Sequence, residues 1–260
     1  MARVFITGSS DGLGLLSGRW LADRGHAVVL HARSAERARA ARSALPASEA
    51  VVVGDVSTFA GMRTVAEQVN ALGRFDAVIH NVGIGDREPR RVETSDGLAH
   101  VFAVNVVAPY LLTALIERPR RLTYLSSGMH LGGSANLDDA QWTRRRWNAS
   151  QAYSDSKLFD VILALAVSRA WPDVFSNAVD PGWVPTRMGG ASAPDDLSEG
   201  ALTQAWLAVS DDAGARVTGR YVHHQRPSSM SPEATRPDVQ DRLVDYLREL
   251  TGTELAGGDR

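Results

Sequence analysis

Seven short runs rich in β-branched residues recur along the chain: "RVFIT" (3–7), "AVVLHA" (27–32), "AVVV" (50–53), "DAVIHN" (76–81), "RLTYLS" (121–126), "VFSNAV" (174–179) and "GRYVH" (219–223). Stretches of helical periodicity separate them, and that alternation restricts a chain to βαβ units around a parallel sheet. Most of the runs are unbroken in their apolar character, as strands covered on both faces must be. No Pro/Gly/Ser linker, repeat or low-complexity tract interrupts the pattern, and 260 residues can form one α/β domain. The expectation is a single doubly wound α/β domain over 1–260, with seven parallel strands and helices on both faces. Three connections exceed what such a domain needs, at 83–95, 128–151 and 183–198. Each follows the C-terminal end of a strand, where open α/β sheets bind ligands, so all three are read as substrate loops.

Composition removes several classes of function. A net charge of −2 gives no reason to expect nucleic acid or an acidic membrane as partner. With no cysteine there is no disulfide, thiolate nucleophile or thiolate-held metal, and the seven histidines show no metal-ligand spacing. No metal is expected. The opening "MARVFITGSS" holds too short an apolar run for a signal peptide, and "VILALAV" (161–167) falls far below the ~18 residues of a membrane span. The expected location is cytoplasmic.

The segment "VFITGSSDGLG" (4–14) reads as strand, glycine turn and helix. Gly8 can take the tight turn, Gly12 lets backbone N–H groups approach a diphosphate, and Gly14 lets the helix pack close to the sheet. Such a unit reads the adenosine ribose about 20 residues later, at the end of the second strand. There the chain has Ala32 and Arg33 and no acid. A guanidinium fork suits a 2′-phosphate, which predicts NADP(H) over NAD(H). The plain alternative is a strand–helix turn and one solvated arginine among 27.

The single lysine of the chain, Lys157, lies in "AYSDSKLFD", four residues after Tyr153. On a helix those two side chains share one face. An unperturbed phenol titrates near ~10, too high for a proton donor at neutral pH. A compact ammonium close by, in a partly desolvated site, favours phenolate. The expectation is that Lys157 lowers the Tyr153 pKa.

Tyr-x-x-x-Lys after Thr-Gly-x-x-x-Gly-x-Gly resembles the short-chain dehydrogenase/reductase family, and the resemblance runs nearly end to end. "HNVG" (80–83), "VNVVAPYLLT" (104–113), "YLSSGMH" (124–130) and "DPGWVPT" (180–186) match further family motifs in order. The resemblance implies a Rossmann-type fold and a catalytic tetrad of Asn105, Ser127, Tyr153 and Lys157. Tyr153 would be the general acid for ketone reduction, or base for alcohol oxidation. Ser127 would hold the substrate oxygen, with Ser126 as its rival. Lys157 would also contact the nicotinamide ribose, and Asn105 would position a relay water. Implied cofactor contacts are Gly8, Ser10, Gly12, Leu13, Gly14, Asp55, Val56, Asn81, Gly83, Pro181, Gly182, Val184 and Thr186, beside Arg33, Tyr153 and Lys157. Two departures stand out. His80 replaces an asparagine and is read as a core histidine, and Asp11 occupies a site where some NADP-preferring relatives carry a base.

The 26-position separation of Ser127 and Tyr153 holds the insert "LDDAQWTRRRWNASQ" (137–151), a layout similar to the branch holding retinol dehydrogenases and bacterial polyketide ketoreductases. That implies a small-molecule carbonyl or alcohol substrate of hydrophobic character. Trp142, Trp147 and Trp183 either wall an apolar pocket or pin the loop, and Arg144–Arg146 read as a solvated face. Helix "LFDVILALAVSRAW" (158–171) is apolar nearly all round. A helix covering one sheet face needs only a stripe, so a second buried face predicts a homodimer or homotetramer. The competing function is a non-catalytic NADP(H)-binding regulator, which would have no need of Ser127, Tyr153 and Lys157.

Overall fold

The computed structural model describes residues 1–255. Its strands are β1 (Arg3–Ile6), β2 (Ala27–Ala32), β3 (Ala50–Val53), β4 (Ala77–His80), β5 (Arg121–Leu125), β6 (Phe175–Asp180), β7 (Tyr221–His223) and β8 (Arg226–Pro227). They form one sheet in the order β3-β2-β1-β4-β5-β6-β7-β8. The seven expected strands all pair in parallel, and β8 adds a short antiparallel edge to β7. Sequence patterning missed β8 because two residues carry no periodicity. Its signal lies in the connecting turn, where His224 and Gln225 take φ of 46° and 61°, the left-handed pair a two-residue hairpin needs.

Successive side chains on each strand enter opposite layers. Val4 and Ile6 of β1, with Val28 and Leu30 of β2, meet α1 (Gly12–Ala22), α2 (Ala35–Ala44) and α7 (Leu197–Val209). Phe5, Val29 and Val78 meet α3 (Phe59–Ala71), α5 (Ala108–Leu115) and α6 (Ala149–Ala170) on the other face. The chain reverses direction across the sheet between β1 and β4, so the loops leaving those two strands diverge and open a crevice.

Helix α6 is buried from Ala152 through Val167 without a break. Its second apolar face lies against the chain's own C-terminal helix α8 (Pro237–Thr251) and the short helical turns Gly128–Gly132 and Pro232–Thr235. The all-round apolar pattern thus has an intramolecular cause and does not by itself call for a partner subunit. The helical stretch between β4 and β5 is divided: α4 (His100–Phe102), a π-helical segment Ala103–Val107, then α5. Asn105 sits in that π segment, a widening that often marks functional positions. Among the described residues, no helix is long and apolar enough to cross a membrane.

Candidate active site

A crevice of ≈ 510 Å³ runs along the C-terminal ends of β2, β1, β4 and β5. At one end lies the glycine loop. Gly8 has φ +60°, and a Cβ there would come within 2.8 Å of the Val82 backbone. A Cβ on Gly14 would sit 2.5 Å from Asn81 Nδ2 and 2.9 Å from the Gly8 carbonyl. The loop is held by two side chains. Asn81 Nδ2 donates to the carbonyls of Thr7 and Gly8 at 2.9 and 3.0 Å. His31 Nδ1 accepts from Gly8 N–H at 2.9 Å while its Nε2 donates to the Gly54 carbonyl at 2.9 Å. Burial lowers the His31 pKa, which keeps the ring neutral and able to accept. Sequence reasoning missed His31; an apolar strand ending in histidine was its only trace.

The ribose-reading end carries two arginines. Arg33 is exposed and makes no hydrogen bond or ion pair among the described residues. Arg37, which the sequence reading overlooked, lies one helical turn further on. Its Nε donates to Ser10 Oγ at 3.1 Å and its guanidinium pairs with Asp11 at 2.7 Å. Ser10 therefore addresses a protein side chain here. Arg37 could have been found as a basic residue in the first turn of the helix that follows the ribose-reading strand.

Leu13, Asp55, Val56, Gly83, Pro181 and Thr186 line the crevice with Gly8, Gly12 and Asn81. Gly14, Gly182 and Val184 do not. Gly14 is a packing glycine; Gly182 has φ +79°, with Asp195 2.5 Å from where its Cβ would stand, and Val184 is buried. Asp55 is tied locally, accepting from Ser57 N–H at 2.9 Å.

At the opposite end Tyr153 and Lys157 share one face of α6, with Lys157 Nζ 5.8 Å from the phenol ring centre. Both are buried and both line the crevice. Lys157 Nζ donates to the Leu125 carbonyl at 2.7 Å and to Asp160 Oδ2 at 2.8 Å. The Tyr153 hydroxyl lies 4.0 Å from Met188 Sδ. Its pKa is raised overall, although Lys157 acts in the direction expected from sequence. Burial pushes it up, Lys157 and a hydrogen bond with Ser127 pull it down, and Asp160 and Asp86 push it up again. Burial outweighs the pull of Lys157, and Asp160, which faces the ammonium, adds to the rise. Burial opposes the Lys157 charge, yet Asp160 and Tyr153 outweigh it and raise the lysine pKa. Burial likewise pushes Asp160 up to about 6 against the pull of the ammonium.

The two serines are divided in role by strand alternation. Ser126 is buried and donates to the Lys157 carbonyl at 2.7 Å, fastening α6 to β5. Ser126, not Ser127, lines the crevice; Ser127 is half-buried, its Oγ accepts from Met129 N–H at 3.2 Å, and its backbone carbonyl is held by the buried His130 at 2.8 Å. Asn105 does not line the crevice. Its Oδ1 accepts from Ile84 N–H at 2.9 Å, and its Nδ2 donates to the Ile84 carbonyl at 3.0 Å and to Ser156 Oγ at 2.9 Å. That side chain is fully committed to shaping the wall after Gly83. His80 is a core residue: Nε2 lies 3.0 Å from Thr113 Oγ1, the ring stacks on Tyr124, and burial lowers its pKa to about 3.

The three long loops converge on this end. Trp147 Nε1 donates to the Glu88 carbonyl at 2.8 Å, joining 128–151 to 83–95, and Arg87 donates to the Met188 carbonyl at 2.9 Å, joining 83–95 to 183–198. Trp142 is buried against Val101 and Ala152 and stacks edge-on with Trp147, so these two pin the loop. Trp183 stays 56% exposed and does not line the crevice. The arginine triplet is not a uniform solvated face. Arg145 lies 3.8 Å over the Trp142 ring and pairs with Asp139 and Asp155 at 3.2 and 3.3 Å. Facing the crevice from α4, His100 Nδ1 is 2.6 Å from Glu88 Oε1.

A family model for short chain dehydrogenases matches residues 2–196. The chain is 42% identical to an uncharacterized oxidoreductase of Emericella nidulans over 262 residues, covering 99% of this chain and all of that one. It is 28% identical to human retinol dehydrogenase 13, across 96% of this chain and 85% of that protein. Among solved structures, an uncharacterized protein of Mycobacterium paratuberculosis superposes with a TM-score of 0.85 at 26% identity, covering 98% of this chain and 95% of that one.

Proposed function

The chain belongs to the short-chain dehydrogenase family and is an oxidoreductase; from that premise we propose that it reduces a hydrophobic ketone or aldehyde with NADPH, using Tyr153 as proton donor. The observation that carries this reading is the placing of Tyr153 and Lys157 on one crevice with the glycine loop. The cradle fits a dinucleotide: glycines let a diphosphate approach the N-terminus of α1, and Arg33, which has no partner among the described residues, lines the same crevice as a cation available to a 2′-phosphate. When bound, the nicotinamide supplies the hydride.

The residues of the chain do the rest. Ser127 and Tyr153 would bind the carbonyl oxygen from two sides and fix its distance from the crevice floor. Tyr153 would pass its hydroxyl proton to that oxygen as charge builds on it, and a positioned acid of this kind contributes about 10²–10⁴-fold. Lys157, held by Leu125 and Asp160, would steady the phenolate left behind. Asn105, through Ile84, would keep the backbone after Gly83 in line.

Ile84, Val104 and Met188 give the substrate end an apolar character. His100 is the polar exception. Glu88 holds its Nδ1 and so leaves Nε2 as the nitrogen for a second oxygen on the substrate. This favours ketones that carry another hydroxyl or carbonyl group. The test is a panel of aromatic and aliphatic ketones, with and without a second oxygen, followed by NADPH oxidation. Turnover of at least one class is expected. NADPH binding without turnover in either direction would favour the regulatory reading instead.

A further inference from the structure

Asp160 is the buried charge that proton transfer by Tyr153 leaves unexplained. It lies one turn beyond Lys157 on α6 and is 2% exposed. Its Oδ2 accepts from Nζ at 2.8 Å, and its Oδ1 is buried with no partner among the described residues. An ammonium has three protons. Here one goes to the Leu125 carbonyl and one to Asp160, so a single N–H remains for the cofactor ribose or the phenol. Burying two charges is costly unless they face each other closely, and leaving either alone in that place costs more.

Resting on the reading of Tyr153 as acid, we propose that Asp160 is a positioning residue that anchors the Lys157 ammonium and offsets much of its charge, so that Lys157 acts on the phenol as half of an ion pair. The surroundings support this. Lys157 is the one cation acting on Asp160 among the described residues. From β5, Tyr124 faces the carboxylate as a neutral phenol, its ionisation opposed by burial and by Asp160 itself. From β4, His80 stacks on Tyr124 and is neutral. On α6, Tyr153 feels Asp160 as a charge that raises its pKa, and Asp86, after β4, acts in the same direction. The carboxylate that anchors the ammonium thus also adds to the rise that burial chiefly causes in the phenol. A lone Lys157 would push Tyr153 towards phenolate, which cannot donate a proton in the reductive direction.

The test exploits the single lysine. Full-length protein labelled with 13C at lysine Cε gives one side-chain signal to follow by NMR. In the wild type that signal should step near pH 6 as Asp160 takes up a proton. Asp160→Asn keeps the size and the acceptor but removes the charge. It should abolish the acid step, lower the Lys157 midpoint, and move the alkaline limb of kcat/KM for ketone reduction down by about one pH unit, with NADPH affinity within about threefold. A limb that stays in place, or an unchanged lysine titration, overturns the proposal. If the variant does not fold, the wild-type signal decides, and absence of the acid step refutes the pairing. Tyr153→Phe separates the two readings. Loss of turnover there with an unmoved limb in Asp160→Asn sinks this inference alone. Retained turnover sinks the role of Tyr153, while the lysine titration still reports on Asp160.

Discussion

Replacing Arg33 by alanine should discriminate between two cofactors that differ by one phosphate. A hydrogen bond to a charged group contributes about 1.5–3 kcal/mol, or roughly 10- to 150-fold in Kd. Arg33 is exposed and has no partner among the described residues, so little has to be broken before it binds a 2′-phosphate. Arg37 must first give up Ser10 and Asp11, and an exposed ion pair of that kind is worth about 0–1 kcal/mol. Its net contribution should be smaller, about 2- to 30-fold. Asp11 both holds Arg37 and adds a negative charge beside the site, so Asp11→Asn should tighten NADPH by up to about fivefold. NADH carries only a hydroxyl there, and its Kd should change less than about threefold in all three variants. Equilibrium titrations by cofactor fluorescence, at one fixed ionic strength, measure each value. Equal losses for NADPH and NADH in Arg33→Ala would refute the assignment. So would a larger loss in Arg37→Ala than in Arg33→Ala, which would move phosphate recognition to the residue that sequence reading overlooked.

Two further outcomes follow from the substrate end. His100→Asn should raise KM about tenfold or more for ketones bearing a second oxygen and leave simple aliphatic ketones unchanged; equal effects on both would remove His100 from recognition. Asp139 organises the 128–151 loop by accepting from the backbone N–H groups of Thr143, Arg144 and Arg145. Burial opposes its charge, but those bonds prevail and hold its pKa at about 2, against 3.8 for a free carboxyl. A depressed value stabilises the folded loop above about pH 4, and that stability is lost as pH falls through about 2. Hydrogen exchange across 128–151 should therefore quicken between pH 4 and 2, and Asp139→Asn should show fast exchange already at neutral pH.

The sheet and the glycine loop were legible because they follow local rules: apolar runs of strand length, and glycines where backbone must turn or approach closely. The Tyr153–Lys157 pair was equally readable, since helical spacing alone puts both on one face. What escaped is set by contacts distant in sequence. The acidity of Tyr153 depends on burial between β5 and α6 and on Asp160, whose pairing with Lys157 is visible as i, i+3 but whose desolvation is not. His31 clasps Gly8 across 23 positions, and Arg145 reaches its carboxylates through a loop without periodicity. The apolar face of α6 shows the limit in reverse. Hydropathy revealed that the face is covered, and only the path of the chain shows that α8 covers it.

The most direct test of the account is a single turnover of NADPH-loaded enzyme with a reducible ketone, in the wild type and in Tyr153→Phe. Removing one hydroxyl from a buried ring should leave the NADPH Kd within about threefold and slow hydride consumption by about 10²–10⁴-fold. A Tyr153→Phe enzyme that oxidises NADPH at the wild-type rate would contradict the central claim.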